Sequence, residues 1–210
     1  MAPLNPATPQ VDVRLLLVRH GQSTWNAEGR WQGSADPPLS ALGEHQAVAA
    51  GEEIVHLGVQ RIVTSDLERA RRTGELLGPD AMPIETDAAL RERHAGEWEG
   101  LTRDQIEAGY PGFLAAHRSP PGFEDDESLL GRVLPAVDAL LGDPSIRVTL
   151  VVTHGGVIRT LERHLGAPEA GVPNLGGRWL RRTETDELVL GERAVLIDPD
   201  VVALTVPDQI

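Results

Sequence analysis

Apolar residues in this chain come in short unbroken runs, each followed by a polar loop and then a helical stripe. The first run, 15–18, is four consecutive aliphatic residues without alternation, the pattern of a strand covered on both faces. After a loop containing Trp25, Trp31 and Asp36-Pro37-Pro38, a helix is predicted from Ser40. Ala47, Ala50, Ile54 and Leu57 then share one apolar stripe, and Gly58 ends the helix. A second short strand, 61–64, leads into a helix over 67–77 that stops at Gly78-Pro79. The third clear strand is 147–152, followed by Thr153-His154-Gly155-Gly156 and a helix to about Leu165. Strands alternating with helices predict an α/β fold, a mostly parallel central sheet with helices on both faces. Segments 178–180, 188–190 and 194–197 read as shorter strands near a sheet edge, with Gly191-Glu192-Arg193 turning the last pair.

Residues 101–146 break this rhythm. Thr102 and Gln105 form a capping box, and 128–141 is a helical stretch that Pro135 is expected to interrupt. Between them lie Ser119-Pro120-Pro121-Gly122 and the acidic run 124–127. We read this stretch as a helical lid insertion over the carboxyl edge of the sheet. If the acidic run lines the mouth of a site there, it repels carboxylated or multiply phosphorylated ligands. The domain organisation expected is one domain over 13–210, preceded by a flexible leader over 1–12.

Composition narrows the chemistry. Hydrophobic residues make up 40% but aromatics only 3%, so aliphatic side chains must fill the core. A net charge of −13 argues against non-specific binding to nucleic acid or acidic membranes, although one pocket can still focus positive potential. Cysteine is absent, which removes disulfides, thiolate catalysis and cysteine-ligated metals. Lysine is absent too, so all 19 basic side chains are arginine, and neither a lysine phosphate loop nor a Schiff base is available. No apolar run approaches the roughly 20 residues of a membrane span. The N-terminus, with prolines at 3, 6 and 9 and no basic start, does not resemble a signal peptide, so a cytoplasmic protein is expected. No heptad or interface pattern marks an oligomeric state.

Three predicted strands each deliver an anion-compatible group at their carboxyl end. The first gives Arg19, His20 and Gly21, the second leads through Ser65-Asp66-Leu67 to Arg69, and the third gives His154 and Gly155. Ligands of open parallel sheets bind at that edge, where starting helices add free N–H groups. Taken singly, Arg69 reads as a solvated ion-pair partner and His154 as a structural histidine, and His45, His56, His117 and His164 read that way. Recurrence at three strand ends argues for a site. A proton donor is needed as well, and Glu92, Glu97 and Glu99 all qualify on spacing. A metal hydrolase using His20, His94 and His154 lacks any H-E-x-x-H-like spacing and would set a cation beside arginines. G-x-S-x-G is absent as well. No metal and no cofactor are expected.

The motifs Leu17-Val18-Arg19-His20-Gly21-Gln22-Ser23, Trp25-Asn26, Gln32-Gly33, 36–39, 43–47, Ser65-Asp66-Leu67-Glu68-Arg69-Ala70, 90–100 and Thr153-His154-Gly155-Gly156 resemble, in order and spacing, the histidine phosphatase superfamily in its phosphoglycerate-mutase-like branch of small phosphatases. That resemblance implies a three-layer α/β/α sandwich. It implies His20 as nucleophile, Arg19, Arg69 and His154 on the phosphoryl oxygens, Glu92 as acid/base, and Asn26, Gln32 and the Gly155 amide as further substrate contacts. The implied activity is metal-independent hydrolysis of small phosphate monoesters through phosphohistidine. Mutase-type transfer and a non-catalytic phospho-ligand binder are the alternatives; the latter usually lose the nucleophile or the acid, and both are present here. Where many relatives carry Gly-Gly-Glu-Ser, this chain has Asp125-Asp126-Glu127-Ser128.

Overall fold

The computed structural model describes residues 12–79 and 82–207, so the leader expected over 1–12 lies, apart from Asp12, outside the described residues. In chain order the elements are β1 Arg14–Arg19, α1 Thr24–Ala27, α2 Ala41–Ala49, α3 Gly51–His56, β2 Arg61–Thr64, α4 Glu68–Leu77 and β3 Ile84–Thr86. They continue with α5 Arg103–Gly109, α6 Asp126–Leu141, β4 Val148–Thr153, α7 Gly155–His164, β5 Gly176–Arg182 and β6 Leu188–Val195. The sheet runs β3-β2-β4-β1-β5-β6. Its first four strands are parallel, and β5 and β6 are antiparallel.

Alternate strand residues feed two separate cores, which is how a two-sided sheet makes three layers. Leu15, Leu17, Val63 and Val151 join Leu129, Val133 and Val137 of α6 and Val157 and Leu161 of α7. Leu16, Val18, Ile62 and Leu150 join Ile54 of α3, Ala70 and Leu77 of α4, and Leu196 and Ile197 beyond β6. A third, smaller cluster gathers Trp31, Ala95, Trp98 and Ile106 beneath Leu101, Tyr110, Phe113 and Phe123. Most of the few aromatic residues are concentrated there. The stretch expected as a lid over 101–146 therefore divides: α6 belongs to a layer of the main core, and residues up to 123 form the satellite cluster.

Four local expectations are corrected. The helix from Ser40 to Gly58 is two helices meeting at Ala50, just before Gly51, a poor helix former; Ala47, Ala50 and Ile54 are nonetheless buried. Pro135 does not interrupt α6, because it and Gly131 lie on the exposed face, where the carbonyl left without its donor reaches water. Gly191-Glu192-Arg193 is no turn but the interior of β6, and a Cβ at Gly191 would lie 2.8 Å from Cβ of Trp179, so glycine permits close strand approach. The hairpin turns instead over 183–187, with Asp186 at φ 65°. Segment 194–197 is the end of β6 and the chain beyond it. The short edge strand β3, only three residues, carries no periodicity to read. Among the described residues no helix is long and apolar enough to cross a membrane.

Candidate active site

Arg19 closes β1 and His20 follows it, both 2% exposed. The backbone here is tied from three sides. His20 N donates to the Thr153 carbonyl (3.0 Å), Leu175 N to the Arg19 carbonyl (3.0 Å) and Asn174 Nδ2 to the His20 carbonyl (2.8 Å). Gly21 N donates to Thr73 Oγ1 (3.1 Å), whose hydroxyl donates in turn to the Arg69 carbonyl (2.6 Å). A Cβ on Gly21 would sit 2.6 Å from the Gly43 carbonyl oxygen, so the loop can lie against α2 only as glycine.

The His20 imidazole has a defined tautomer. Nδ1 lies 2.6 Å from the Gly21 carbonyl oxygen. A carbonyl only accepts, so Nδ1 carries the proton and Nε2 keeps its lone pair. Burial, then Arg69, then Arg19, hold the His20 pKa well below 6.5, so the ring is neutral near pH 7.

His154 ends the β4 crossing as the residue that caps α7, in extended conformation. It is fully buried, with its ring centroid 5.2 Å from that of His20. Burial foremost, then Arg69 and the His20 ring, push its pKa well below 6.5 too. Arg69 stands on the first turn of α4. Nη1 donates to the Ala35 carbonyl (2.6 Å) and Nη2 to the Gly33 carbonyl (2.9 Å). Asp36 accepts the Glu68 amide on both oxygens (2.9 and 3.0 Å), fixing the start of that helix, and lies 3.7 Å from Arg69. Arg19 Nη1 donates to the Val172 carbonyl (3.0 Å). Burial above all pushes Arg19 down to about 9 and Arg69 to about 10, even though Asp36 lies beside Arg69. Arg19 Nε, Arg69 Nε and both ring nitrogens of His154 are buried with no hydrogen-bond partner among the described residues. Buried polar groups of that kind mark places where an anion can supply the missing acceptors.

Glu92 enters from a loop. Its Oε2 accepts the Gly156 amide (2.9 Å) and its Oε1 the Arg93 amide (2.8 Å). A Cβ on Gly156 would collide with the carboxylate. The other two spacing candidates are engaged elsewhere. Glu97 is exposed and accepts from the Tyr110 hydroxyl, while Glu99 accepts the Ser34 amide (2.7 Å). Arg132 of α6 fastens the Glu92 loop, donating to the carbonyls of Ala89 (2.7 Å), Arg91 (2.7 Å) and Glu92 (3.2 Å). Arg93 reaches Thr160 Oγ1 and Asp126 (both 2.6 Å).

Asn26 and Gln32 are buried beside Ser23. Asn26 Oδ1 accepts the Ser23 amide (3.2 Å), and Gln32 Oε1 accepts the Ser23 hydroxyl (2.8 Å). Gly155 is the first residue of α7 and packs on the Arg19 guanidinium. His94 is half exposed and stands apart from His20 and His154. No group of three possible ligands for a metal exists among the described residues. Three of the four acidic residues of the run are engaged: Glu124 pairs with Arg132 (2.7 Å), Asp126 with Arg93 and Arg163, and Asp125 caps α6, while Glu127 is exposed. Sequence reasoning missed Thr73, Asn174 and Arg132. Thr73 sits four residues beyond Arg69 on one helix face, a readable signal. Asn174 and Arg132 meet their partners only through the tertiary fold.

Taken together, this is an α/β protein whose sheet carries, at its carboxyl edge, a neutral imidazole among buried cations. Comparison with known proteins gives that class a family. Residues 15–184 match the histidine phosphatase superfamily (branch 1). A glucosyl-3-phosphoglycerate phosphatase of Mycolicibacterium vanbaalenii is 39% identical over 178 residues, 78% of this chain and 79% of that protein. A solved structure of a mycobacterial glucosyl-3-phosphoglycerate phosphatase in complex with VO3 superposes with a TM-score of 0.76 at 32% identity, covering 85% of this chain and 96% of the other. A probable phosphoglycerate mutase of Salmonella paratyphi B is 36% identical over 156 residues, 68% of this chain and 70% of that protein. The chain belongs to the histidine phosphatase superfamily. Its activity is that of a phosphatase hydrolysing phosphate monoesters.

Proposed function

We propose that this phosphatase works through a phosphohistidine on His20, without metal or cofactor. His20 Nε2 attacks phosphorus in line, forming the N–P bond as the P–O bond to the alcohol breaks. Protonated Glu92 gives its proton to the departing oxygen. The resulting carboxylate then takes a proton from water, whose oxygen bonds to phosphorus as the N–P bond breaks and inorganic phosphate leaves. Arg19, Arg69, His154 and the Gly155 amide hold the phosphoryl oxygens, where charge is greatest, and Asn26 and Gln32 make further contacts. Arginine suits this role because its planar fork stays charged and binds bidentately.

One observation carries the reading. The His20 tautomer, set by the Gly21 carbonyl at 2.6 Å, leaves Nε2 nucleophilic beside the unpartnered nitrogens of Arg19, Arg69 and His154. The substrate class we propose is small phosphate esters in the cytoplasm, with glucosyl-3-phosphoglycerate, named in the relatives, as the first to assay. Phosphate release from a panel of esters, in excess chelator, tests it. Turnover is expected to persist there, and His20→Ala to lose it by roughly 10⁴-fold or more. Rapid quenching in alkaline detergent with an ester labelled in its phosphoryl group is expected to trap label on His20. Label elsewhere, or full turnover without the imidazole, overturns the mechanism. Interchange of 2- and 3-phosphoglycerate exceeding phosphate release would make the chain a mutase.

A further inference from the structure

Arg69 starts from α4, but its guanidinium is held by a different segment, through the carbonyls of Ala35 (2.6 Å) and Gly33 (2.9 Å). Those two carbonyls flank Ser34 in a tight turn, where Ala35 N donates to the Gln32 carbonyl (3.1 Å) and Gly33 has φ 57°. Whatever grips this turn therefore decides where Arg69 points. The grip is a carboxylate. Glu99 Oε1 accepts the Ser34 amide (2.7 Å) and the Ala95 amide (3.3 Å). A Cβ on Gly33 would collide with that same oxygen, so glycine serves both the positive φ and the close approach of the carboxylate. The flanking chain is laced to the Glu99 segment as well, Trp31 N to the Leu101 carbonyl (2.9 Å) and Gly100 N to the Trp31 carbonyl (2.8 Å).

The surrounding groups agree with that role. His94 Nδ1 accepts the Gly96 amide (2.9 Å), so in the neutral ring Nε2 carries the proton and faces Glu99 Oε1 at 3.8 Å. The Glu99 charge is also felt at the arginine. Burial lowers the Arg69 pKa, and Glu92, then Asp36, then Glu99 act against it. Glu92 is the proton donor, and Asp36 fixes the start of α4 through the Glu68 amide. Glu99 is the carboxylate of the three that the mechanism above leaves without a part.

We infer that Glu99 is a positioning residue for the phosphoryl clamp: by holding the turn at Ser34 it presents the Gly33 and Ala35 carbonyls that aim the Arg69 guanidinium. The inference rests on the phosphatase reading above, in which Arg69 holds phosphoryl oxygens. Glu99 itself touches no reacting atom. An ionised acceptor suits the task, because it binds an amide N–H more firmly than a neutral one does. Segment 92–99 then carries the proton donor at one end and the brace of the clamp at the other, so one stretch of loop sets both.

A double-mutant cycle tests this on p-nitrophenyl phosphate, whose leaving group needs no proton from Glu92. In the wild-type background Glu99→Ala is expected to cut kcat/KM about 10- to 100-fold. Glu99→Asp keeps the charge but loses the reach, and is expected to fall nearly as far. Glu99→Gln keeps Oε1 as an acceptor and is expected to retain most of the activity. In an Arg69→Met background no guanidinium is left to aim, and Glu99→Ala or Glu99→Asp is expected to cost about threefold or less. A general loss of folding would lower both backgrounds alike. Equal losses in both backgrounds, a Glu99→Gln as damaging as Glu99→Ala, or full turnover in Glu99→Ala overturns the inference and leaves the phosphatase intact. If the wild type releases no phosphate from p-nitrophenyl phosphate, the phosphatase reading falls and this inference with it.

Discussion

Arg19, His20 and His154 stand at the ends of β1 and β4, two strands paired in register over six residues, whereas Glu92 stands on a loop outside the sheet. Backbone hydrogen bonds hold the strand ends, with the Asn174 side chain as a brace on the His20 carbonyl. The Glu92 loop is fastened mainly by side chains: Thr153 Oγ1 on the Leu90 carbonyl (2.8 Å), Arg132 on three carbonyls, and Arg93 on Thr160 and Asp126. The nucleophile is therefore positioned by architecture and the proton donor by a small set of replaceable contacts. Proton transfer is the step that substitution can tune without dismantling the sheet.

Removing the donor breaks the comparison most severely. Glu92→Gln is expected to lower kcat about 10²–10⁴-fold on alkyl phosphates and much less on p-nitrophenyl phosphate, whose leaving group needs no proton. Gly156→Ala, which displaces the same carboxylate, should show that pattern in weaker form. Equal losses on the two leaving groups would remove Glu92 from proton transfer.

Loosening the loop comes next. Arg132→Met removes three carbonyl bonds and is expected to cost roughly tenfold in kcat on alkyl esters, with KM little altered, since orientation and not binding is lost. If KM rises and kcat holds, the loop positions substrate instead.

The smallest effect separates the two regions by pH. His20 and His154 have folded-state pKa values well below the ordinary 6.5, so below pH 6.5 the unfolded chain binds protons that the folded chain refuses. Stability then falls as pH falls, by at most about 1.4 kcal/mol per pH unit per histidine. The loop's ion-paired Glu124 and Asp126 have lowered pKa values, so their contribution is present above the ordinary carboxylate range and lost only as pH falls below it. Urea unfolding midpoints are therefore expected to decline from pH 6.5 to 5 in the wild type and less steeply in His154→Asn. A flat wild-type profile over that window would mean that the buried rings protonate in place. The same shifts put the acid limb of kcat/KM well below pH 6.5.

Much of this was legible in the residues. The unbroken apolar run 15–18 announced β1, and short apolar, β-branched segments announced β2 and β4. The strand ends then placed Arg19, His20, Arg69 and His154 on one edge. Spacing could not separate Glu92 from Glu97 and Glu99, since their roles differ by tertiary partners: the Gly156 amide, the Tyr110 hydroxyl and the Ser34 amide. Helix breaks were misjudged for a related reason. Pro135 is harmless because its side of α6 faces water, and Gly191 stays in a strand because Trp179 lies against it. Local propensity sees neither neighbour.

Asn174 grips the carbonyl of His20, and its Oδ1 accepts the hydroxyl of Thr205, while Gln46 reaches from the Gln22 amide to Thr205 and the Ala203 carbonyl. A ribosome makes the imidazole well before it makes Asn174 and Thr205. A growing chain thus carries every reactive group named above before it carries the brace that aims the first of them. Changes at Thr205 therefore act, through Asn174, on how a ring far earlier in the chain is aimed.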